Sequence, residues 1–261
     1  MGEAGPLLER GLGQVELRLA HLYPKLMNIY GDRGNIICLA NRCRRRDIGF
    51  SVSQLELDDK LEPDRFDLIF MGGAQDREQQ RVAADLAALK GEALREASES
   101  DVVVLAVCGG YQLLGKYYRP AEGDDLPGVG VFDAWTVHPG PDARRFIGNV
   151  VAEWEGHTLA GFENHGGRTY LGQGCQPLAK VIAGFGNNGS DGWEGAVYRN
   201  AFGTYLHGSL LPKNPKFADH LIETALRRRY DDISLPPMDD RLEEMAHSAA
   251  VRQAKGRSII R

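Results

Sequence analysis

Two residues stand out as able to do chemistry together: a cysteine and a histidine, each placed at the end of an apolar run. Cys108 ends the run DVVVLAV (101–107), and two glycines and an amphipathic start, Tyr111 to Leu114, follow at once. Val102, Val103, Val104, Leu105 and Val107 read as a buried parallel strand. A strand that turns sharply into a helix presents its turn residue at the mouth of a sheet. Gly109 and Gly110 are expected to supply the backbone freedom for that turn, and the helix start favours negative charge on the sulfur. The chemistry is nucleophilic attack by a thiolate on a carbonyl carbon. It needs a base within hydrogen-bond reach and donors for the developing oxyanion.

His207 is the base that the pattern offers. It closes AFGTYLHG (201–208), so it projects from a strand end on the carboxyl edge of the sheet, where the cysteine turn also opens and where open α/β sheets bind ligands. His21, His138, His157, His165, His220 and His247 lack that placement. A second glycine turn ends the strand in FMGGAQDREQ, from Phe70. Amides around Gly72 and Gly73 can converge with that of Tyr111 or Gly109 on an oxyanion. Taken alone, the same motif is an ordinary strand-to-helix turn.

The elements that must position these residues alternate. Strands are expected at Val15–Leu22, Gly49–Leu57, Phe66–Met71, Asp101–Val107 and Phe202–Leu206. Helices are expected at about 34–46, from Arg77 to Ser98, from Tyr111 to Tyr118 and at about 215–230. This order makes an α/β fold with an open, mostly parallel sheet and helices on both faces. After Pro127, short pieces such as GNVVAEW and KVIAGFG between glycine turns suggest antiparallel decorations. Residues 1–13 are expected to be a mobile segment, 14–230 the catalytic domain and 231–261 a C-terminal appendage with a charged helix.

Composition narrows the function classes. A formal net charge of −5 over 261 residues argues against a protein held mainly by nucleic acid or an anionic membrane. The arginines at 42, 44, 45 and 46 and at 227, 228 and 229 read as solvated helix faces. No apolar run approaches a membrane span and no signal pattern opens the chain, so a cytoplasmic location is expected. The four cysteines form no CxxC pair and the histidines show no zinc spacing, so no metal site is expected. Cys38, Cys43 and Cys175 are assigned to packing.

Strand, elbow cysteine and strand-end histidine in this order resemble the class I (Triad) glutamine amidotransferases, whose fold is flavodoxin-like. CGGYQLLG, GFENHGGRTY (161–170) and GTYLHGSLLPKNP (203–215) narrow the resemblance to the cobyric-acid-synthase-like branch. YGDRGN (30–35) and GGAQDREQ (72–79) make it most similar to the GatD family, the glutaminase subunits of lipid II isoglutaminyl synthase. The similarity runs from about residue 15 to about 230. It implies hydrolysis of L-glutamine and delivery of ammonia to a MurT-like, Mur-ligase-like partner in a heterodimer. That partner would use ATP and magnesium to amidate the D-glutamate α-carboxylate of lipid II to D-isoglutamine. Cys108 carries over as the nucleophile and His207 as its base and acid. The family's glutamine-holding arginine matches Arg145 in RRFIGN, with Arg144 as a rival. A guanidinium suits a carboxylate because it grips both oxygens.

One position departs from the wider family. The glutamate that orients the imidazole two residues after the histidine is replaced here by Ser209, as it is in GatD-like chains. The missing carboxylate is expected from the partner subunit, with Asp32 as the in-chain alternative. No GxxxxGK[ST] phosphate loop is present, so this chain needs no cofactor of its own and the ATP belongs on the partner. The alternatives are a glutaminase serving a cobyrinate-type acceptor, a stand-alone γ-glutamyl hydrolase and a non-catalytic glutamine-binding scaffold.

Overall fold

The computed structural model describes residues 15–29, 32–231 and 233–258. The expected mobile segment 1–13 lies outside them. The central sheet has six strands: β1 (Glu16–Leu22), β2 (Gly49–Leu55), β3 (Leu68–Met71), β4 (Val103–Val107), β13 (Ala196–Tyr198) and β14 (Ala201–Thr204). Their order is β13-β14-β4-β3-β1-β2, and every pair is parallel except the edge pair β13–β14. Every residue of β3 and β4 is buried, as central strands covered on both faces require. β2 at the edge is exposed along most of its length.

Two groups of helices cover the sheet. α1 (Arg33–Arg44) and α6 (Pro215–Arg227) pack on each other and on β2, β1 and β4. α2 (Asp76–Asp85), α3 (Gly91–Glu99) and α4 (Gly109–Leu114) form the second group, with α3 and α4 against β4. The helix expected from Arg77 to Ser98 is broken by a π-turn at Leu86–Lys90. That turn brings Lys90, fully buried, back onto Asp85 at 2.5 Å and over the ring of Tyr23 at 4.9 Å. A buried ammonium must be paired, and i to i+5 is the spacing that a π-turn stacks. The helix expected to reach Tyr118 stops at Leu114, and Tyr117–Arg119 forms strand β5 instead.

Two smaller sheets flank the site. β5 joins β6 (Leu126–Pro127), β7 (Ala134–Val137) and β10 (Arg168–Leu171). β8 (Phe146–Trp154) and β9 (His157–His165) form a long antiparallel ladder, extended by β11 (Ala179–Ala183) and β12 (Trp193–Glu194).

The C-terminal segment is docked. α7 (Arg241–Ser258) packs on β8, β9, β11 and the short helix α5 (Leu210–Lys213), and buries Ala254 against Val151 and Ala183. His247 ties it down at both ring nitrogens, to the Lys213 carbonyl at 2.8 Å and Thr158 Oγ1 at 2.7 Å. The arginines of α1 are not all solvated. Arg42 and Arg46 are buried and share Asp219 of α6, and Arg42 also binds both oxygens of Asp240 at 2.7 and 2.8 Å. Burial forces these charges to find partners, and the partners come from α6 and from the segment that leads into α7.

Candidate active site

Cys108 sits between β4 and α4 with φ 51° and ψ −107°, a conformation that costs a non-glycine residue energy. The strain therefore falls on the cysteine itself. Gly109 and Gly110 lie outside the left-handed region and serve close approach instead. A Cβ on Gly110 would lie 2.8 Å from the carbonyl oxygens of Met71 and Gly72, and one on Gly109 would lie 2.4 Å from Gln79 Nε2. α4 can cross the end of β3 only without side chains there.

His207 is fully buried and lies three residues beyond the end of β14. Its backbone is pinned to β9 by a bridge with Phe162, N–H to O at 2.7 Å and O from N–H at 3.3 Å. The stretch between β14 and His207 is held by Glu194, whose Oε1 accepts from the Thr204 hydroxyl at 2.6 Å and the Tyr205 N–H at 2.8 Å. Burial pushes the Glu194 carboxyl up to about 7, against those two bonds.

The imidazole is bracketed. Its Nδ1 lies 3.4 Å from Asp32 Oδ1, and both side chains are fully buried. The imidazole also interacts with the side chain of Cys108. Burial alone would lower the His207 pKa. Charge on Cys108 and the contact with Asp32 outweigh burial and raise it to about 10. Asp32 is held in turn by its Oδ2, which accepts the N–H of Gly73 at 2.7 Å.

A carboxylate within reach of the imidazole, that of the in-chain alternative Asp32, is thus present at the start of α1. Ser209, at the position where the wider family's glutamate is expected, sits at φ 51° against the first turn of α1, and a Cβ on Gly34 would fall 2.0 Å from its Oγ.

Gly73 marks how tight the centre is. A Cβ there would lie 3.1 Å from His207 Cε1, 3.1 Å from Ile29 Cγ1 and 3.2 Å from Cys108 Cβ. Its N–H, expected to serve an oxyanion, donates in this structure to Asp32. Gly72 lies against the Met27 carbonyl, and its own carbonyl accepts from Gly110 N–H at 3.1 Å. The Tyr111 side chain turns into the core, with its hydroxyl on Asn187 and its ring edge-on to Phe132 and Tyr205. Its amide lies in the first turn of α4.

Cys108 opens into a cleft of about 510 Å³. Arg145 lines it, donating from Nε to Asn164 Oδ1 at 3.2 Å and from Nη2 to the Asn164 carbonyl at 3.1 Å. Arg144 does not line it and lies over the Phe185 ring. Of the two rivals, the fold brings Arg145 to the cleft. Glu163, two residues before His165, accepts the N–H groups of Phe185 and Gly186. His165 stacks on Tyr205 at 3.6 Å, and burial lowers it to about 3, so it stays neutral.

Several cleft residues escaped the sequence reading. Gln112 is buried, lines the cleft and belongs to a polar chain: Gln79 Nε2 donates to Gln112 Oε1, and Gln112 Nε2 donates to the Tyr205 hydroxyl, which pairs with Thr169. Its place one turn of α4 beyond Cys108 was the available signal. Asp76, Tyr118, His138 and Asn164 also line the cleft, gathered from four separate elements. The remaining cysteines pack as expected. Burial pushes the Cys38 and Cys43 thiols up to about 12 and that of Cys175 to about 11.

Residues 18–215 match the CobB/CobQ-like glutamine amidotransferase domain. Subunit GatD of the glutamine-hydrolysing lipid II isoglutaminyl synthase of Streptococcus pneumoniae is 42% identical over 232 residues, covering 88% of each chain. The GatD subunit of Staphylococcus aureus is 38% identical over 240 residues, covering 92% of this chain and 96% of that one. In fold, a chain of the PurLQS structure from Thermotoga maritima superimposes with a TM-score of 0.53 at 20% identity, covering 73% of this chain and 87% of the other. A strained cysteine at the sheet mouth, with its histidine bracketed behind it, is thus set in a sequence that belongs to the CobB/CobQ-like glutamine amidotransferases and, within them, to the GatD family.

Proposed function

We propose that this chain is the glutaminase subunit of a lipid II isoglutaminyl synthase. The observation that carries the reading is the buried line Cys108–His207–Asp32 at the floor of a cleft with Arg145 on its wall. Arg145 grips the substrate α-carboxylate, and the γ-carboxamide carbon comes to the sulfur. The thiolate attacks that carbon, and amides at the start of α4, Tyr111's among them, receive the oxyanion. His207, held by Asp32, gives its proton to the departing ammonia, which leaves a γ-glutamyl thioester. Water, deprotonated by His207, then attacks the thioester, releases glutamate and restores the thiol.

Ammonia made here serves a MurT-like partner in the cytoplasm. With ATP and magnesium bound on its own residues, that partner amidates the D-glutamate α-carboxylate of lipid II. The GatD relatives support this acceptor over the cobyrinate-type one. Because Asp32 lies within the chain, the dyad needs no carboxylate from the partner.

Glutamate release from L-glutamine, measured for the chain alone and with the Mur-ligase-like subunit, tests the reading. Release that depends on Cys108, shown with Cys108→Ala, is the expected result. A folded chain that releases none in either condition overturns the reading in favour of a scaffold.

A further inference from the structure

The cleft has a buried end and an exposed rim. Cys108, Gln112 and His165 form the buried end. Asp76 and Arg77, the first residues of α2, and Arg145, just before β8, form an exposed rim on two different elements. A substrate whose carboxamide sits at the sulfur leaves its α-carbon, with both a carboxylate and an ammonium, toward that rim. Arg145 answers the carboxylate and leaves the ammonium to be matched.

Asp76 is the one carboxylate among the described residues that line the cleft. Its Oδ1 accepts the hydroxyl of Tyr118 at 3.1 Å, and Tyr118 is itself a buried lining residue. Burial, together with the charge of Asp76, keeps that phenol protonated, so it acts as a donor that fixes the carboxylate in place. The other charged groups on the rim, Arg77 and Arg145, repel an ammonium.

We infer that Asp76, anchored by Tyr118, receives the α-ammonium group and makes the cleft specific for an α-amino acid amide over amides that lack the amino group. The inference rests on the glutaminase reading and names a specificity determinant within that site. As the first residue of α2, Asp76 also complements the helix dipole, but that role has no bearing on which amide binds.

The test compares L-glutamine with glutaramate, the same amide without its α-amino group. Calorimetric binding to the full chain with its Mur-ligase-like partner, in a Cys108→Ser background, removes turnover from the measurement. The background protein is expected to prefer glutamine, and adding Asp76→Asn should shrink that preference about ten- to hundredfold, the worth of a hydrogen bond to a charged group. Asp76→Glu, which keeps the charge, should retain part of it. An unchanged preference in Asp76→Asn, with glutamine still bound, overturns the role of Asp76 and leaves the glutaminase reading standing. Failure of the Cys108→Ser protein to bind glutamine overturns both.

Discussion

The carboxylate of Asp32 bridges two parts of the site, with Oδ1 3.4 Å from His207 Nδ1 and Oδ2 2.7 Å from the N–H of Gly73. One side chain thus holds the imidazole and the glycine turn that closes over it. In the proposed reaction Asp32 takes the place of a triad's third member, supplied from the start of α1 instead of from the position after the histidine.

Asp32→Asn keeps the shape and removes the charge, so the imidazole loses its orientation and the stabilisation of its protonated form. We expect glutamate release to fall roughly 10²- to 10⁴-fold, mostly in kcat, as when other triads lose their carboxylate. Steady-state kinetics of the chain with its partner checks it. A loss below threefold would return the orienting role to the partner subunit.

Gly73→Ala inserts a methyl group among His207, Ile29 and Cys108, each already within 3.2 Å of it. The imidazole and sulfur must part, and overpacking costs about 1–3 kcal/mol. Activity should drop at least tenfold while the protein still melts cooperatively, read by kinetics beside a thermal melt. Wild-type kcat in this variant would mean that the pair tolerates separation.

Arg145→Lys keeps a positive charge but gives up the two-pronged grip on a carboxylate. We expect KM for glutamine to rise about tenfold or more, whereas Arg144→Ala, off the cleft, should leave KM near its starting value. Equal effects from the two would undo the assignment of Arg145.

The pH behaviour of His207 follows from its surroundings. Its folded pKa of about 10 lies above the ordinary 6.5, so its contribution to stability is complete below pH 6.5 and is lost as pH rises toward 10. Cys108→Ala removes the sulfur that helps raise His207 and leaves burial opposed by Asp32 alone. NMR titration should show His207 shifting down in that variant, and the alkaline fall in stability should flatten. A His207 titration identical in both proteins would show that the sulfur does not raise it.

Arg42 joins α1 to α6 and to the segment before α7 through Asp219 and Asp240. Arg42→Met should cost about 3 kcal/mol, because a buried pair broken on one side leaves Asp240 without its cation, while Asp219 keeps Arg46. Chemical denaturation measures it, with the exposed Arg44→Ala as a comparison expected within about 0.5 kcal/mol of wild type. If the two cost the same, the cluster does not hold the tail.

The cysteine turn and the histidine were legible because local patterns encode them, whereas the cleft arginine came only through the family resemblance. A run of apolar β-formers followed by Cys108 and a helical start makes a strand-turn-helix in almost any parallel sheet, and His207 ends a second such run. The alternation of elements specified the sheet for the same reason, since period and burial are properties of short stretches. The partner of His207 was decided only in three dimensions. Asp32 lies 175 positions from it, and no local spacing distinguishes that carboxylate from the other acidic residues of the chain. It comes within reach of the imidazole because α1 packs with its first turn against Ser209. Tertiary packing also moved the backbone strain from Gly109 and Gly110 onto Cys108, since the crossing of α4 over β3 leaves the glycines no space for side chains. It likewise buried Arg42 and Arg46, whose stretch reads as solvated until the C-terminal segment folds back with Asp240. Short-range chemistry chose the nucleophile, and long-range packing chose what aims it.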